Sequence, residues 1–271
     1  MDALRQIDGW PARHAAAGVA TADRVLARHG DAERVFRWAS VTKLVTALAT
    51  LVAVEEGVVD LDEPAGPPGS TVRHLLAHAS GLPFEAGPPL GEPGRRRIYS
   101  NAGFETLAKL VAERAQMPFG RYLSEAVFRP LAIRAELHGS PAAGVHGSLD
   151  DVLRVGRELL APTLVARETL DEATAVAFPG LDGVLPDYGR MSPNDWGLGF
   201  ELRDDKPGHW TGTRASPRTF GHFGGSGAFL WVDPDAGLAC GCLTDLEFGE
   251  WAKEAWPRLS DAVLRSTAGA P

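Results

Sequence analysis

The chain reads as an α+β protein in which an antiparallel β-sheet flanked by helices is interrupted by an inserted, mainly helical lobe. Three observations lead there. Strand-like segments bounded by turn residues stand at both ends of the sequence. The apolar run from Val41 to Glu56 is too long for a typical strand and reads as a buried helix. Capped helical segments fill much of the middle. With 271 residues the chain can bury a sizeable core. The expected organisation is one domain, with a discontinuous α/β lobe over about 1–57 and 195–271 and a helical lobe over about 58–194.

A short N-terminal helix precedes a hairpin with arms Ala15 to Thr21 and Arg24 to Gly30. Gly57 sits just past the Val41 to Glu56 helix, where a left-handed C′ residue belongs. Ser70 or Thr71 can cap a short helix through His78, and Ser80-Gly81-Leu82-Pro83 then breaks it. Asn101 can cap an amphipathic helix to about Gln116. Further helices are expected from about Phe119 to Phe128, ending at Pro130, and over Leu149 to Leu160, just after Ser148. After about Asn194 the pattern changes to GLGFEL, GAFLWVDP and GLACGCLTD, antiparallel strands of which the last two are joined through Asp233-Pro234-Asp235-Ala236-Gly237. A last helix is expected over Gly249 to Arg265, with Pro257 as a kink or break.

Composition excludes several function classes. A net charge of −8, 44% apolar and 23% charged residues describe an ordinary globular chain without the basic face that nucleic acid or anionic lipid requires. Arg95-Arg96-Arg97 is too short a basic run to change this. No apolar run reaches the roughly 18 residues of a membrane span. Charge scattered through the first thirty residues leaves no room for a signal-peptide core, so a cytoplasmic location is expected if Met1 is the true start. Cys240 and Cys242, the two cysteines, read as small packed thiols rather than a disulfide.

Three segments can carry chemistry. In Ser40-Val41-Thr42-Lys43, helical spacing puts the serine and lysine on one face at a helix N-terminus, where free N–H groups favour a developing oxyanion. A serine needs a neighbour to take its proton, and a lysine can do so only as the free amine, which burial favours. Lysine occurs only at 43, 109, 206 and 253 in a chain that otherwise uses arginine, which cannot act as a base. The blander reading is an N-cap serine beside a surface lysine. Tyr99-Ser100-Asn101 offers a phenol for proton transfer and an amide to bind a carbonyl; taken alone it is better read as a buried tyrosine beside a helix cap. His222-Phe223-Gly224-Gly225-Ser226-Gly227 offers a strand edge open to a substrate, with the Gly225 N–H as an oxyanion donor, or else a flexible turn.

Together these segments resemble the active-site signature of the serine β-lactamase and penicillin-binding-protein superfamily, in the branch holding class C β-lactamases, DD-peptidase-like enzymes and β-lactamase-like carboxylesterases. S-x-x-K, Y-x-N and K/H-x-G occur in that order with fitting spacing, and HLLAHASGLP, RRRIYSNAGF and NDWGLGFEL agree around them. The resemblance implies Ser40 as acylated nucleophile, Lys43 as its base and Tyr99 as a partner in proton transfer. It implies Asn101 as a ligand of the substrate carbonyl, His222 in place of the third motif's lysine, and Gly224 and Gly225 as substrate-binding residues. The N–H groups of Ser40 and Gly225 would form the oxyanion hole.

Two departures stand out. Phe223 replaces a hydroxyl residue that helps hold a substrate carboxylate, and His222 is a weaker cation than lysine. Both argue against a penicillin-like carboxylate and towards neutral esters or amides; the expected function is an esterase on small neutral esters, ahead of an amidase, D-amino-acid peptidase or β-lactamase. A sensor or binding protein acylated without turnover is the non-enzyme alternative. An α/β-hydrolase elbow at Gly224 to Ala228 is disfavoured, because the segment leads into a strand and ends in alanine. His74 and His78 have i, i+4 spacing but lack the remaining ligands of a zinc site. The expected partner is a small-molecule ester or amide, with no cofactor, metal, nucleic acid or membrane and no signal for an oligomeric state. Trp38, Tyr188 and Trp196 can line an acyl pocket or pack the core.

Overall fold

A computed structural model describes residues 1–267. A 3-10 turn over Asp2–Gly9 leads into β1 (Ala15–Ala20) and β2 (Val25–Gly30), the expected hairpin, and then β3 (Phe36–Arg37). A second 3-10 turn, Ala39–Val41, runs directly into α1 (Thr42–Glu55). There follow α2 (Val72–Leu76), α3 (Asn101–Ala115) and α4 (Phe119–Leu123), the last extended by a π turn to Phe128. Next come β4 (Glu136–Leu137), β5 (Val145–Gly147), α5 (Leu149–Leu160), α6 (Arg167–Ala173), β6 (Gly183–Leu185) and β7 (Gly189–Met191). The chain closes with β8 (Glu201–Leu202), β9 (Phe220–Gly224), β10 (Ala228–Asp233), β11 (Leu238–Thr244) and α7 (Glu250–Thr267).

The main sheet has six antiparallel strands in the order β2-β1-β11-β10-β9-β8. The N-terminal hairpin thus completes a sheet built mostly from the C-terminal strands, which is why both chain ends read as strand. Helices cover both faces. Strand alternation sends Leu230 and Val232 toward α1 and α5, and Phe229 and Trp231 toward α7 and the N-terminal turn. Double-sided burial makes β10 and β11 continuously apolar although their neighbours are antiparallel. Cys240 and Cys242 lie on the α7 face as free, buried thiols.

Helix α5 lies against this sheet, although it falls within residues 58–194, where a helical lobe was expected. The approach is close. A Cβ on Gly156 would come within 2.7 Å of Ala239, and one on Gly241 within 2.7 Å of Val152. Ser148 caps α5 in a box with Asp151, whose carboxylate also accepts from the Arg134 N–H. The middle of the chain also carries strand that its sequence did not announce: β3, β5 and β4 form a small sheet, and β6 and β7 a hairpin. These strands are two or three residues long, too short to show a period of two. Of GLGFEL only Glu201 and Leu202 are ladder residues. Pro257 does not break α7, which runs through it.

One expected cap holds and another moves by a residue. Thr71 caps α2, which ends at Leu76, and Ser100 rather than Asn101 caps α3 by accepting from the Gly103 N–H at 2.9 Å. Gly57 is left-handed at φ 70°, as a C′ residue requires. Arg97, last of the basic run, is buried instead of solvated. Its guanidinium donates to the carbonyls of Ala77, Ala177, Phe178 and Asn194, tying together the loops behind α2 and α3. It holds a charge there although burial lowers its pKa to about 10. Replacing it by methionine removes the donor from four carbonyls, two of them buried, so Arg97→Met is expected to lower unfolding stability in urea by about 3 kcal/mol or more. A loss under about 1 kcal/mol would mean that water reaches those carbonyls.

Candidate active site

The site forms where the N-terminus of α1, the loop before α3 and the end of β9 converge. Ser40 lies in the 3-10 turn, not in α1 itself. The residue before it, Ala39, is held at φ 46°, a left-handed conformation that costs a non-glycine residue on the order of 1–3 kcal/mol. Strand β9 presses on this turn: a Cβ on Gly224 would lie 2.3 Å from the Trp38 carbonyl oxygen and 3.1 Å from the Ser40 nitrogen. Close backbone packing is therefore what demands glycine at 224. A Cβ on Gly225 would meet nothing within 4 Å, so that residue faces open space. Ser226 ties the hairpin turn down by donating to the Arg37 carbonyl at 2.7 Å.

Lys43 is wholly buried. Its Nζ donates to Asn101 Oδ1 at 2.6 Å, to the Ala142 carbonyl at 3.0 Å and to Ser40 Oγ at 3.3 Å. No carboxylate pairs with it among the described residues. Burial brings its pKa down to about 7, against a smaller upward pull from Glu85 and Glu105. Thr42 and Thr46 on the same helix fix the segment that supplies the Ala142 carbonyl: Thr46 donates to the Pro141 carbonyl, and Thr42 accepts from the Val145 N–H. Because Ser100 does the capping, Asn101 is free to face the lysine.

Tyr99 lies with its ring centroid 4.7 Å from Lys43 Nζ, surrounded by Phe84, His78, Trp196 and His222. Burial pushes its phenol well above the ordinary range, against a smaller downward pull from the Ser40 hydroxyl. His222 Nδ1 lies 2.6 Å from the Phe223 carbonyl, which can only accept, so Nδ1 carries the proton. Nε2 is then the acceptor, and the Tyr99 hydroxyl donates to it across 3.3 Å. Burial, followed by the neighbouring Lys43, lowers the His222 pKa to about 3. His222 is thus a neutral acceptor near pH 7 and no substitute for a fixed cation.

All seven sequence-derived residues, Ser40, Lys43, Tyr99, Asn101, His222, Gly224 and Gly225, lie at this convergence. Three further groups lie beside them. Glu85 accepts from Asn101 Nδ2 at 3.2 Å. His78, buried and held neutral, accepts the Ser100 N–H at Nδ1 and so orients the loop. The Ala142 carbonyl has no side-chain signature at all. Phe223 does not face the site: alternation turns it toward Tyr188, Trp210, Phe248 and Trp256. Trp38 is core, Trp196 backs Tyr99 and His222, and Tyr188 packs on Phe223 and Phe248. No cluster of three or more metal-ligating side chains occurs among the described residues.

A serine hydroxyl beside a buried amine that can be neutral, with backbone N–H groups at a helix start, is the arrangement that serine-hydrolase chemistry requires. The chain belongs to the beta-lactamase family, whose profile matches residues 6–138 and 132–264. A crystal structure of a beta-lactamase from Mycobacterium bovis is 54% identical, with a TM-score of 0.97, and the match covers 98% of this chain and 99% of that one. Simvastatin synthase of Aspergillus terreus, 20% identical with a TM-score of 0.80, shares the fold over 99% of this chain and 98% of its own. Penicillin-binding protein 4* of Bacillus subtilis is 26% identical over 190 residues, 56% of this chain and 41% of that protein. The match thus spans less than half of that relative's length.

The electrostatics predict a specific pH profile. The free amine is the competent form of Lys43, so reactivity is present above its pKa and lost below it. Modification of Ser40 by a neutral phosphonate ester, followed by intact mass, is expected to accelerate through about pH 7 and level off above about pH 8. Lys43→Arg should slow it at least about 10²-fold. A rate constant flat from about pH 5 to about pH 9 would show that no group with this pKa activates the serine.

Proposed function

We propose that this protein is an esterase that hydrolyses small esters without a carboxylate through an acyl-enzyme on Ser40. One observation carries the reading: Lys43 Nζ, buried without a counter-ion, lies 3.3 Å from Ser40 Oγ. With a pKa of about 7 roughly half of it is free amine at pH 7, against about one in a few thousand for an ordinary lysine.

In this reaction Lys43 takes the Ser40 proton as Oγ bonds to the ester carbon, and the carbonyl electrons pass to oxygen, held by the Ser40 and Gly225 N–H groups. Collapse breaks the bond to the alkoxy oxygen. That oxygen receives the proton from Lys43 by way of Tyr99, which remains a phenol throughout. Water then attacks the acyl-serine, its proton passing by way of Tyr99 to Lys43; collapse breaks the bond between the acyl carbon and Oγ, the acid leaves, and Lys43 returns the proton to Ser40 Oγ. His222 holds the Tyr99 hydroxyl in place.

The preference for esters rests on what the site lacks. His222 carries no charge near pH 7 and Phe223 faces away, so neither counters a carboxylate. One observation favours a second reading, β-lactam hydrolysis: the 54% identical Mycobacterium bovis protein is described as a beta-lactamase. Hydrolysis of p-nitrophenyl acetate and of a chromogenic cephalosporin by wild type and Ser40→Ala separates the two. The expected result is ester turnover that Ser40→Ala lowers at least about 10³-fold, with cephalosporin turned over far more slowly. Ester turnover that survives the substitution would remove Ser40 as nucleophile. Faster cephalosporin turnover would establish the second reading, and acylation without turnover a sensor.

A further inference from the structure

The loop that follows Pro83 contributes one side chain to the site that the proposed reaction does not use. Glu85 holds Asn101 Nδ2 through a single carboxylate oxygen, and its other oxygen has no partner among the described residues. The side chain is exposed, and none of the described cations forms an ion pair with it. The arginines of the same loop are engaged elsewhere, Arg95 by Glu92 and Arg96 by the Leu90 carbonyl. Glu105 on α3, the other carboxylate whose field reaches Lys43, is occupied by the Ser140 hydroxyl. A free anion therefore stands one hydrogen bond from Asn101, whose Oδ1 is bonded to Lys43, which in turn contacts Ser40.

We propose that Glu85 is a specificity-determining residue, selecting acyl groups that carry an ammonium close to the scissile carbonyl and rejecting those that carry a carboxylate. The inference rests on the esterase reading above and names the charge of its substrate. The ammonium would bond the unoccupied Glu85 oxygen, while the second Nδ2 hydrogen of Asn101 remains for a substrate oxygen. A solvent-exposed ion pair of this kind gives up to about a fivefold bias among acyl groups of equal size.

The test uses three methyl esters of similar shape: glycine methyl ester, methyl propionate and monomethyl malonate, cationic, neutral and anionic in turn. Their hydrolysis is followed by pH-stat at about pH 7 with wild type, Ser40→Ala and Glu85→Gln. Wild type is expected to give kcat/KM in the order glycine, propionate, malonate. In Glu85→Gln the glycine-to-propionate ratio should fall up to about fivefold and the malonate-to-propionate ratio should rise. Glutamine can still accept from Asn101, so a residue that merely orients that amide would leave both ratios unchanged, and unchanged ratios overturn the proposal. Failure of wild type to hydrolyse methyl propionate in a Ser40-dependent way would overturn the esterase reading, and this inference with it.

Discussion

The structure around the site follows from placing one lysine amine inside the protein without a counter-ion. An ammonium with no carboxylate is costly to bury, and the cost falls if the group can shed its proton. Lys43 does both things a buried amine requires: its donors find Asn101, Ala142 and Ser40, and its pKa falls to about 7. A shift of that size corresponds to about 5 kcal/mol between the two protonation states. Keeping these acceptors in place recruits residues well outside the S-x-x-K segment. Thr46 steadies the Pro141 to Ala142 segment. Ser100 caps α3 and thereby releases Asn101, while His78 holds Ser100.

The same logic makes His222 neutral. It is buried beside Lys43, and two adjacent cations in a dry site would each raise the cost of the other. The Phe223 carbonyl settles its tautomer, leaving Nε2 to receive the Tyr99 hydroxyl. A tyrosine whose proton is engaged in this way, and whose pKa lies well above the ordinary range, passes protons as a phenol. Proton uptake from Ser40 then falls to Lys43.

Much of this was legible in the sequence, for reasons that differ by element. The hairpin, α1 and the C-terminal strands carry long or strongly apolar patterns, so burial announced them. The three motifs stood out because each combines uncommon residue types at fixed spacing. What stayed hidden depended on tertiary approach. The requirement for glycine at 224 comes from the Trp38 to Ser40 backbone, and the position of α5 on the sheet from Gly156 and Gly241. Nothing in the neighbours of Arg97 reveals the four carbonyls that converge on it. Phe223 drew attention as a substitution in the substrate site, yet strand alternation places it in the aromatic core. Glu85 follows a loop proline and carries no pattern that separates it from a surface carboxylate.

The account turns on the protonation of Lys43, and that can be observed directly. Incorporating lysine labelled with ¹³C at Cε gives one resonance for each lysine, at 43, 109, 206 and 253. The Lys43 signal is the one absent from the Lys43→Arg protein. It is expected to titrate with a midpoint near 7, half-neutral where the enzyme would work. A midpoint above about 9 would leave the amine charged at neutral pH, and a free-amine base at Ser40 would be contradicted.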